Sequence, residues 1–381
     1  MKIVIAPDSF KESITAFEAA AAIEHGFKEI FPKADYIKLP MADGGEGTVQ
    51  SLVDATGGTV VETWVTGPLG EPVSAFFGML GDGETAVIEM AAASGLHLVP
   101  PDKRNPLKTT TRGTGELILA SLDRGASHII IGIGGSATND GGAGMIQALG
   151  GRLLDKFGND IGPGGGTLSQ LAAIDLSSLD ARLKDVEIEV ACDVDNPLTG
   201  VTGASAVYGP QKGANAEMII DLDANLSHWA DAIELYFNQS FRNIPGAGAA
   251  GGLGFGLLAF LSAELKRGIE IVLQTVNFDK HVKDADIVIT GEGRIDSQTI
   301  FGKTPIGVAK AAKKYDIPVI AIAGGRARDS DVVHEHGIDA LFSIVPGIVT
   351  LQDAMDHASG YLQQTSRNIA AVFHAGLMKR E

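Results

Sequence analysis

The sequence predicts an α/β fold in two domains, and three observations carry that expectation. Short apolar runs such as Lys2–Ala6, Ile129–Ile133, Ala285–Thr290 and Val319–Ala323 each end in a glycine-rich or polar loop, the pattern of strands buried on both faces of a parallel sheet. Helical periodicity follows most of these runs, so strand and helix alternate. With 381 residues, 45% hydrophobic and 20% charged, the chain is long enough to fill two cores rather than one.

Lys2–Ala6 is the first strand, and Thr15–Phe31 is an amphipathic helix with apolar Phe17, Ala20, Ala21, Phe27 and Ile30. Between them Asp8-Ser9-Phe10-Lys11-Glu12-Ser13 lies at the carboxyl end of the strand, where open α/β sheets bind ligands. Lys11 there is a candidate partner for a phosphate or carboxylate, the alternative being a solvated loop lysine. Tyr36–Leu39 predicts a second strand, followed by the acidic, glycine-rich turn from Asp43 to Gly47 and a helix over Val49–Ala55. Ionised carboxylates are costly to bury unpaired, so this turn points to a ligand, with helix capping by Asp43 as the plainer reading. Val60–Val65, Val73–Met79 and Ala86–Met90 read as strands joined by glycine turns, and this hairpin character marks a domain crossing. Thr109-Thr110-Thr111-Arg112-Gly113-Thr114 then leads into a helix over Leu117–Leu122, with Arg112 placed to clamp an anion.

The densest chemistry lies in Ile129–Met145, IIIGIGGSATNDGGAGM: a β-branched strand, a loop and the start of a helix. Gly134 and Gly135 let a ligand approach the backbone, while Ser136, Thr138, Asn139 and Asp140 supply polar groups where a helix N-terminus presents free N–H donors. The stretch reads as an anion-binding or phosphate-binding turn, or as a tight connection only. Arg152–Asp155 is a further strand, and Glu187–Cys192 another, ending in Asp193-Val194-Asp195-Asn196-Pro197. Paired aspartates at a strand end suit Mg²⁺, and Asx residues before proline also make plain turns. Lys212 follows as a second candidate cation, and Met218–Phe237 is helical. Gly246, Gly248 and Gly251 spell G-x-G-x-x-G without a convincing preceding strand. Ala285–Thr290 is a strand that runs into Gly291-Glu292-Gly293-Arg294, and Gly302-Lys303-Thr304 resembles the tail of a P-loop but lacks its glycine. Val319–Ala323 and Ala340–Ile344 complete the strand series, and Leu351–Phe373 reads as one closing helix.

Composition narrows the function. A net charge of -17 argues against a nucleic-acid partner and requires that any anionic substrate be held by local cations. The single cysteine, Cys192, excludes an intramolecular disulfide and multi-cysteine metal sites, and fits a reducing cytoplasm. The opening residues read as a strand rather than the apolar core of a signal peptide, and no apolar run is long enough for a membrane partner.

The segments DSFKES, MADGGEGT, TTTRGTGEL, IGIGGSATNDGG, ACDVDNP, GPQKGA, PGAGAAGGLG and ITGEGRIDSQT, taken together and in order, closely resemble the bacterial glycerate kinases of the type I family, over nearly the whole chain. The resemblance implies ATP-dependent phosphorylation of D-glycerate, with 2-phosphoglycerate the usual product. It also implies one flavodoxin-like domain built from both chain ends, expected over 1–75 and 282–381, with a mixed α/β domain inserted over 76–281. Assembly as a homodimer stays open.

A kinase needs cations on the transferred phosphoryl, Mg²⁺ on the nucleotide and a carboxylate for the hydroxyl proton. Residue chemistry and strand-end placement nominate Lys11, Lys212 and Arg294 as cations and Asp193 as base or Mg²⁺ ligand, with Asp43 and Asp195 as further metal ligands. Asp8, Ser9, Glu292 and the loop residues Gly134, Gly135, Ser136, Thr138, Asn139 and Asp140 are expected to bind nucleotide or glycerate, in a cleft between domains that closes to exclude water. Two rivals accompany this reading. Gly132, Gly134 and Ala137 match G-x-G-x-x-A, with Asp155 placed for a ribose, as in a nicotinamide-dependent hydroxyacid dehydrogenase. A noncatalytic small-acid-binding protein is the other.

Overall fold

The structure, a computed structural model, describes residues 1–378. In chain order the strands of the described residues are β1 (Lys2–Pro7), β2 (Asp35–Lys38), β3 (Thr59–Thr66), β4 (Pro72–Met79), β5 (Thr85–Glu89), β6 (His128–Gly132) and β7 (Arg152–Leu154). They continue as β8 (Ala173–Asp175), β9 (Glu187–Ala191), β10 (Glu264–Lys266), β11 (Ile287–Ile295), β12 (Val319–Arg326) and β13 (Ala340–Ser343).

The chain divides into two compact units, one of residues 1–43, 50–57 and 269–381, the other of residues 44–49 and 58–268. The units divide elsewhere than at the expected 75 and 282, and at the first of these the reason is clear. β3 and β4 pair along their whole length, Thr59 with Met79 through Thr66 with Pro72, so a boundary inside β4 would cut a hairpin.

The first unit is built on a five-stranded parallel sheet in the order β2-β1-β11-β12-β13. Counted within this unit the order is 2-1-3-4-5, the doubly wound flavodoxin-like arrangement, whose switch point lies between its first and third strands. Here those are β1 and β11, which pair from Ile3 with Ile287 to Pro7 with Gly291. β1 is almost wholly buried and apolar, as a strand covered on both faces must be. Helix Ala16–Lys28 starts at a capping box: Thr15 Oγ1 accepts from Glu18 N at 3.2 Å, and Glu18 Oε2 accepts from Thr15 N at 2.9 Å. Its expected core residue Phe17 faces outward, 47% exposed, and the contact is made by small residues such as Ala19 and Ala20. The single closing helix expected at the C-terminus is two, Leu351–Asp356 and Ala358–Leu377, interrupted at His357.

The second unit holds a mixed six-stranded sheet, β10-β9-β6-β5-β4-β3, in which β5, β6, β9 and β10 run parallel and β3 and β4 form the antiparallel edge. β7 and β8 make a separate antiparallel pair. Asp155 follows β7, outside the main sheet, where its Oδ1 accepts from Phe157 N and Asn159 N in a turn, so it does not stand at a neighbouring strand end as a ribose ligand would. The glycine-dense stretch is not a nucleotide loop either. It opens helix Ala249–Leu261, with left-handed backbone at Ala250, Gly251 and Gly252, and a Cβ on Gly251 would collide with the carbonyl of Thr138.

Gly26 in helix Ala16–Lys28 shows how tightly the first unit is packed: a Cβ there would collide with the backbone of Gln363 and come within 2.8 Å of Arg367 N. Gly360, on the partner helix, has open space around it. Gly26→Ala is therefore expected to destabilise by about 1–3 kcal/mol or more through overpacking, whereas Gly360→Ala gains about 0.4–1 kcal/mol through the unfolded state. Urea denaturation of the two variants checks the opposite signs.

Candidate active site

At the carboxyl ends of β1, β11, β12 and β13 the first unit has a pocket of about 640 Å³, within the range of small-molecule sites. The rule for open α/β sheets places a ligand at this edge. From the β1 end the lining includes Asp8, Ser9 and Lys11; Asp43 follows β2; β11 supplies Glu292 and Arg294; β12 supplies Gly324, Gly325 and Arg326; and Lys303 precedes helix Thr304–Lys313. Six residues nominated from the sequence, Asp8, Ser9, Lys11, Asp43, Glu292 and Arg294, thus share one wall system.

Their electrostatics are coupled. Asp8 is 8% exposed; burial, reinforced by the charge of Asp43, pushes its carboxyl up to about 6. It is held by Thr304 Oγ1, which donates to Oδ2 at 2.6 Å, and by Ser9 N, which donates to Oδ1 at 2.6 Å. Burial likewise pushes Glu292 up to about 7, against the opposing pull of Thr299 and Lys303 and with the help of the charges on Asp8 and Asp43. Thr299 Oγ1 donates to Glu292 Oε1 at 2.8 Å. Two carboxyls shifted toward neutrality beside several cations in a pocket make this the candidate functional site. Arg294 is 74% exposed and meets Asp296 at 3.4 Å, leaving its guanidinium near the pocket mouth.

Lys303, Thr304 and Arg326 were missed in the sequence. Gly302-Lys303-Thr304 carried a signal, since a lysine and a threonine ahead of a helix with proline at its start place a cation and a hydroxyl at a helix N-terminus. Arg326 carried none, because its proximity to β11 follows from strand pairing alone: Ile295 is registered with Arg326.

The nominated residues of the second unit are arranged differently. Gly134 and Gly135 are exposed, but Ser136, Thr138, Asn139 and Asp140 are buried. Asp140 Oδ2 accepts from Thr111 N at 2.8 Å and Thr111 Oγ1 at 2.9 Å, and Asn139 Nδ2 donates to Ser205 Oγ at 3.0 Å. The polar side chains therefore organise the loop from inside, and only its two leading glycines offer backbone outward. Lys212 is 1% exposed, and its Nζ donates to Ser136 Oγ at 2.6 Å and Thr138 O at 2.7 Å. It secures this loop rather than standing free at the surface. Asp193 is exposed, with Oδ1 accepting from Gly268 N at 3.1 Å. Asp195 takes both its carboxylate contacts from Arg267 Nη2, at 3.1 and 3.0 Å, so its charge is already offset where a metal ligand was expected.

Among the described residues, one set of three side chains has metal-ligating atoms within 4.8 Å of one another: His128, Glu187 and Glu189. Glu189 is already paired with Lys266 and with His128 Nε2 at 2.8 Å, which accounts for the cluster as an ion-pair network. Also among the described residues, no helix is long and apolar enough to cross a membrane.

Fold and pocket define a two-unit α/β protein whose doubly wound sheet presents carboxylates and cations together at its switch point. Residues 3–374 match the model of the glycerate kinase family, and the chain belongs to that family. It is 72% identical over 371 residues to a glycerate kinase of Bacillus subtilis (strain 168), covering 97% of each chain. To a glycerate 2-kinase of Escherichia coli (strain K12) it is 61% identical over 377 residues, covering 99% of each. A crystal structure of a glycerate kinase 2 candidate from Salmonella typhimurium LT2 superposes with a TM-score of 0.92 at 59% identity, covering 99% of each chain.

Lys212 generates a pH prediction. Burial pulls its ammonium down from 10.5 to about 7, so between those values the unfolded chain carries a proton that the folded chain does not. The lowered pKa contributes stability that is present above the unfolded value and lost as pH falls through the folded one. The stability of the wild type relative to Lys212→Met is therefore expected to rise as pH is raised from 7 toward 10, as read by urea denaturation at several pH values.

Proposed function

We propose that this protein is an ATP-dependent glycerate 2-kinase, transferring the γ-phosphoryl group of ATP to the 2-hydroxyl of D-glycerate to give 2-phosphoglycerate and ADP. The observation that carries the reading is the grouping of Asp8, Asp43, Glu292, Lys11, Arg294, Lys303 and Arg326 around one pocket at the switch point, in a chain of the glycerate kinase family. The dehydrogenase alternative loses its support with Asp155 outside the main sheet, and a noncatalytic binder has no use for carboxyls pushed toward neutrality.

In the proposed reaction the hydroxyl oxygen of glycerate forms a bond to the γ-phosphorus as the bond from that phosphorus to the β,γ-bridging oxygen breaks, and ADP leaves with the bonding pair. The hydroxyl proton passes to a carboxylate. Glu292 suits that role: its ordinary acidity is weakened by burial to about 7, and a base works best when its pKa lies near the working pH. Lys11, Lys303, Arg294 and Arg326 offset charge on the phosphoryl oxygens, and such electrostatic stabilisation together with positioning accounts for most of the catalysis in phosphoryl transfer. This local supply of cations is what a chain of net charge -17 needs to hold two anionic substrates.

The carboxylate oxygens fit Mg²⁺, a hard cation usually held by one or two carboxylates, with water and substrate phosphates completing its shell. Asp43 and Asp8 would hold it, and bound there it would neutralise charge on the nucleotide phosphates. Asp193, exposed at the end of β9, is the alternative candidate for the proton-accepting carboxylate, and the peptide groups of Gly134 and Gly135 are a candidate anion-binding element of the second unit. The single cysteine, Cys192, suits a reducing cytoplasm.

A coupled ADP-release assay with D-glycerate, followed by phosphorus NMR of the product, tests both the reaction and the position of the new ester. Glu292→Gln is expected to lower kcat on the order of 10²–10⁴-fold with little change in KM for glycerate, while Asp193→Asn keeps most of the turnover. The reverse pattern would move the base to Asp193, and the absence of ADP release by the wild type would remove the kinase reading.

A further inference from the structure

The pocket of the first unit changes character along the sheet edge. At β1 and β11 its lining carries charge, through Asp8, Lys11, Glu292 and Arg294, with Phe10 among them. At β12 two glycines, Gly324 and Gly325, precede the cation Arg326. Past β13 the pocket has an apolar wall, with Ile344 and Val345 at the strand end facing the same space as Leu351 and Met355 of the next helix, a helix that also reaches the loop after β1, where Ser13 Oγ donates to Met355 O at 2.7 Å. The charged and apolar walls of the pocket therefore ask for different parts of a ligand.

D-Glycerate carries a carboxylate and two hydroxyls on three carbons and has almost no apolar surface to bury, so the apolar wall offers it nothing. A purine is flat and largely apolar, and burial of such surface favours binding at about 25 cal/mol per Å². The two glycines have different duties. A Cβ on Gly324 would collide with the carbonyl of Gly293, so this glycine is required for β11 and β12 to lie together, whereas a Cβ on Gly325 would meet nothing within 4 Å. The space over Gly325 is open to the pocket.

We infer that the nucleotide lies across the carboxyl edge of this sheet in one direction: its purine against the apolar wall formed by Ile344, Val345, Leu351 and Met355, its phosphates passing over Gly325 toward β11 and β1. The inference rests on the kinase reading and deepens it by making this wall the subsite that selects the base. Gly325 is then a specificity-determining position because any side chain there stands in the path of the phosphates. Leu351 is 77% exposed, so a polar replacement alters the subsite with little cost to folding.

The test uses the full chain. Photolabelling with 2-azido-ADP is expected to mark the segment 344–358, and excess ADP to protect it, as does inorganic pyrophosphate at concentrations that fill the phosphate path. Gly325→Val is expected to raise KM for ATP at least tenfold while KM for D-glycerate stays within twofold, and Leu351→Asp to raise KM for ATP with kcat at saturation retained. Labelling elsewhere in a protein that still phosphorylates D-glycerate would overturn the orientation and leave the kinase reading standing. A wild-type protein that neither binds ADP nor turns over ATP would overturn both. Circular dichroism and urea midpoints equal to wild type separate a lost subsite from a lost fold in the two variants; a KM for ATP unchanged in both folded variants would also overturn the inference.

Discussion

The parallel pairing of β1 with β11 is the constraint on which the site depends. These strands come from opposite ends of the chain, yet the register Pro7 with Gly291 continues into Asp8, whose N–H donates to Gly291 O at 2.8 Å. Thr290 Oγ1 reinforces the pair by donating to Ala6 O at 2.8 Å. This one register puts Asp8 beside the residue that precedes Glu292, and so brings together two carboxyls separated by most of the sequence. Loop-closure entropy grows only slowly with length, so a long insertion between β1 and β11 costs little beyond a short one. The sheet tolerates an entire second unit between its first two strands and its third.

Bringing like charges together in a partly dry pocket works against folding, and the structure shows how the cost is distributed. Burial and mutual repulsion push Asp8 and Glu292 toward their neutral forms, while Thr304, Thr299 and the nearby lysines pull the other way. A region strained in this way is stable only because the sheet beneath it is apolar and closely packed, with Ile3, Ile5, Ile287, Ile289 and Ile322 all at or near zero exposure. The electrostatic poise of the pocket and the greasiness of the strands under it are two sides of one arrangement.

The second unit solves a different problem with similar residues. Its glycine-rich loop after β6 is held from within by Asp140, Asn139 and Lys212, a buried polar network that is nearly but not fully satisfied, since Thr138 Oγ1 and Asn139 Oδ1 have no hydrogen-bond partner. Such networks specify one backbone path strongly because an unpaired buried group is costly. The loop is thereby rigid where its side chains point inward, and its outward surface is reduced to the peptide groups of two glycines.

The sequence by itself determined the alternation of strand and helix, the position of nearly every strand of the parallel sheets and the family, because apolar runs, glycine turns and recurring segments are local properties written along the chain. Asp8, Lys11, Asp43, Glu292 and Arg294 were legible for the same reason, each standing where a strand ends. Tertiary structure alone decided which strand ends meet, and hence that Lys303 and Arg326 join the same pocket and that an apolar wall lines it. It also turned Ser136 to Asp140 inward, set Lys212 to hold them and gave Asp195 to Arg267. Those outcomes depend on partners that the chain supplies from far away, and the facing of a polar side chain in a glycine-rich loop has no periodicity from which it could be read.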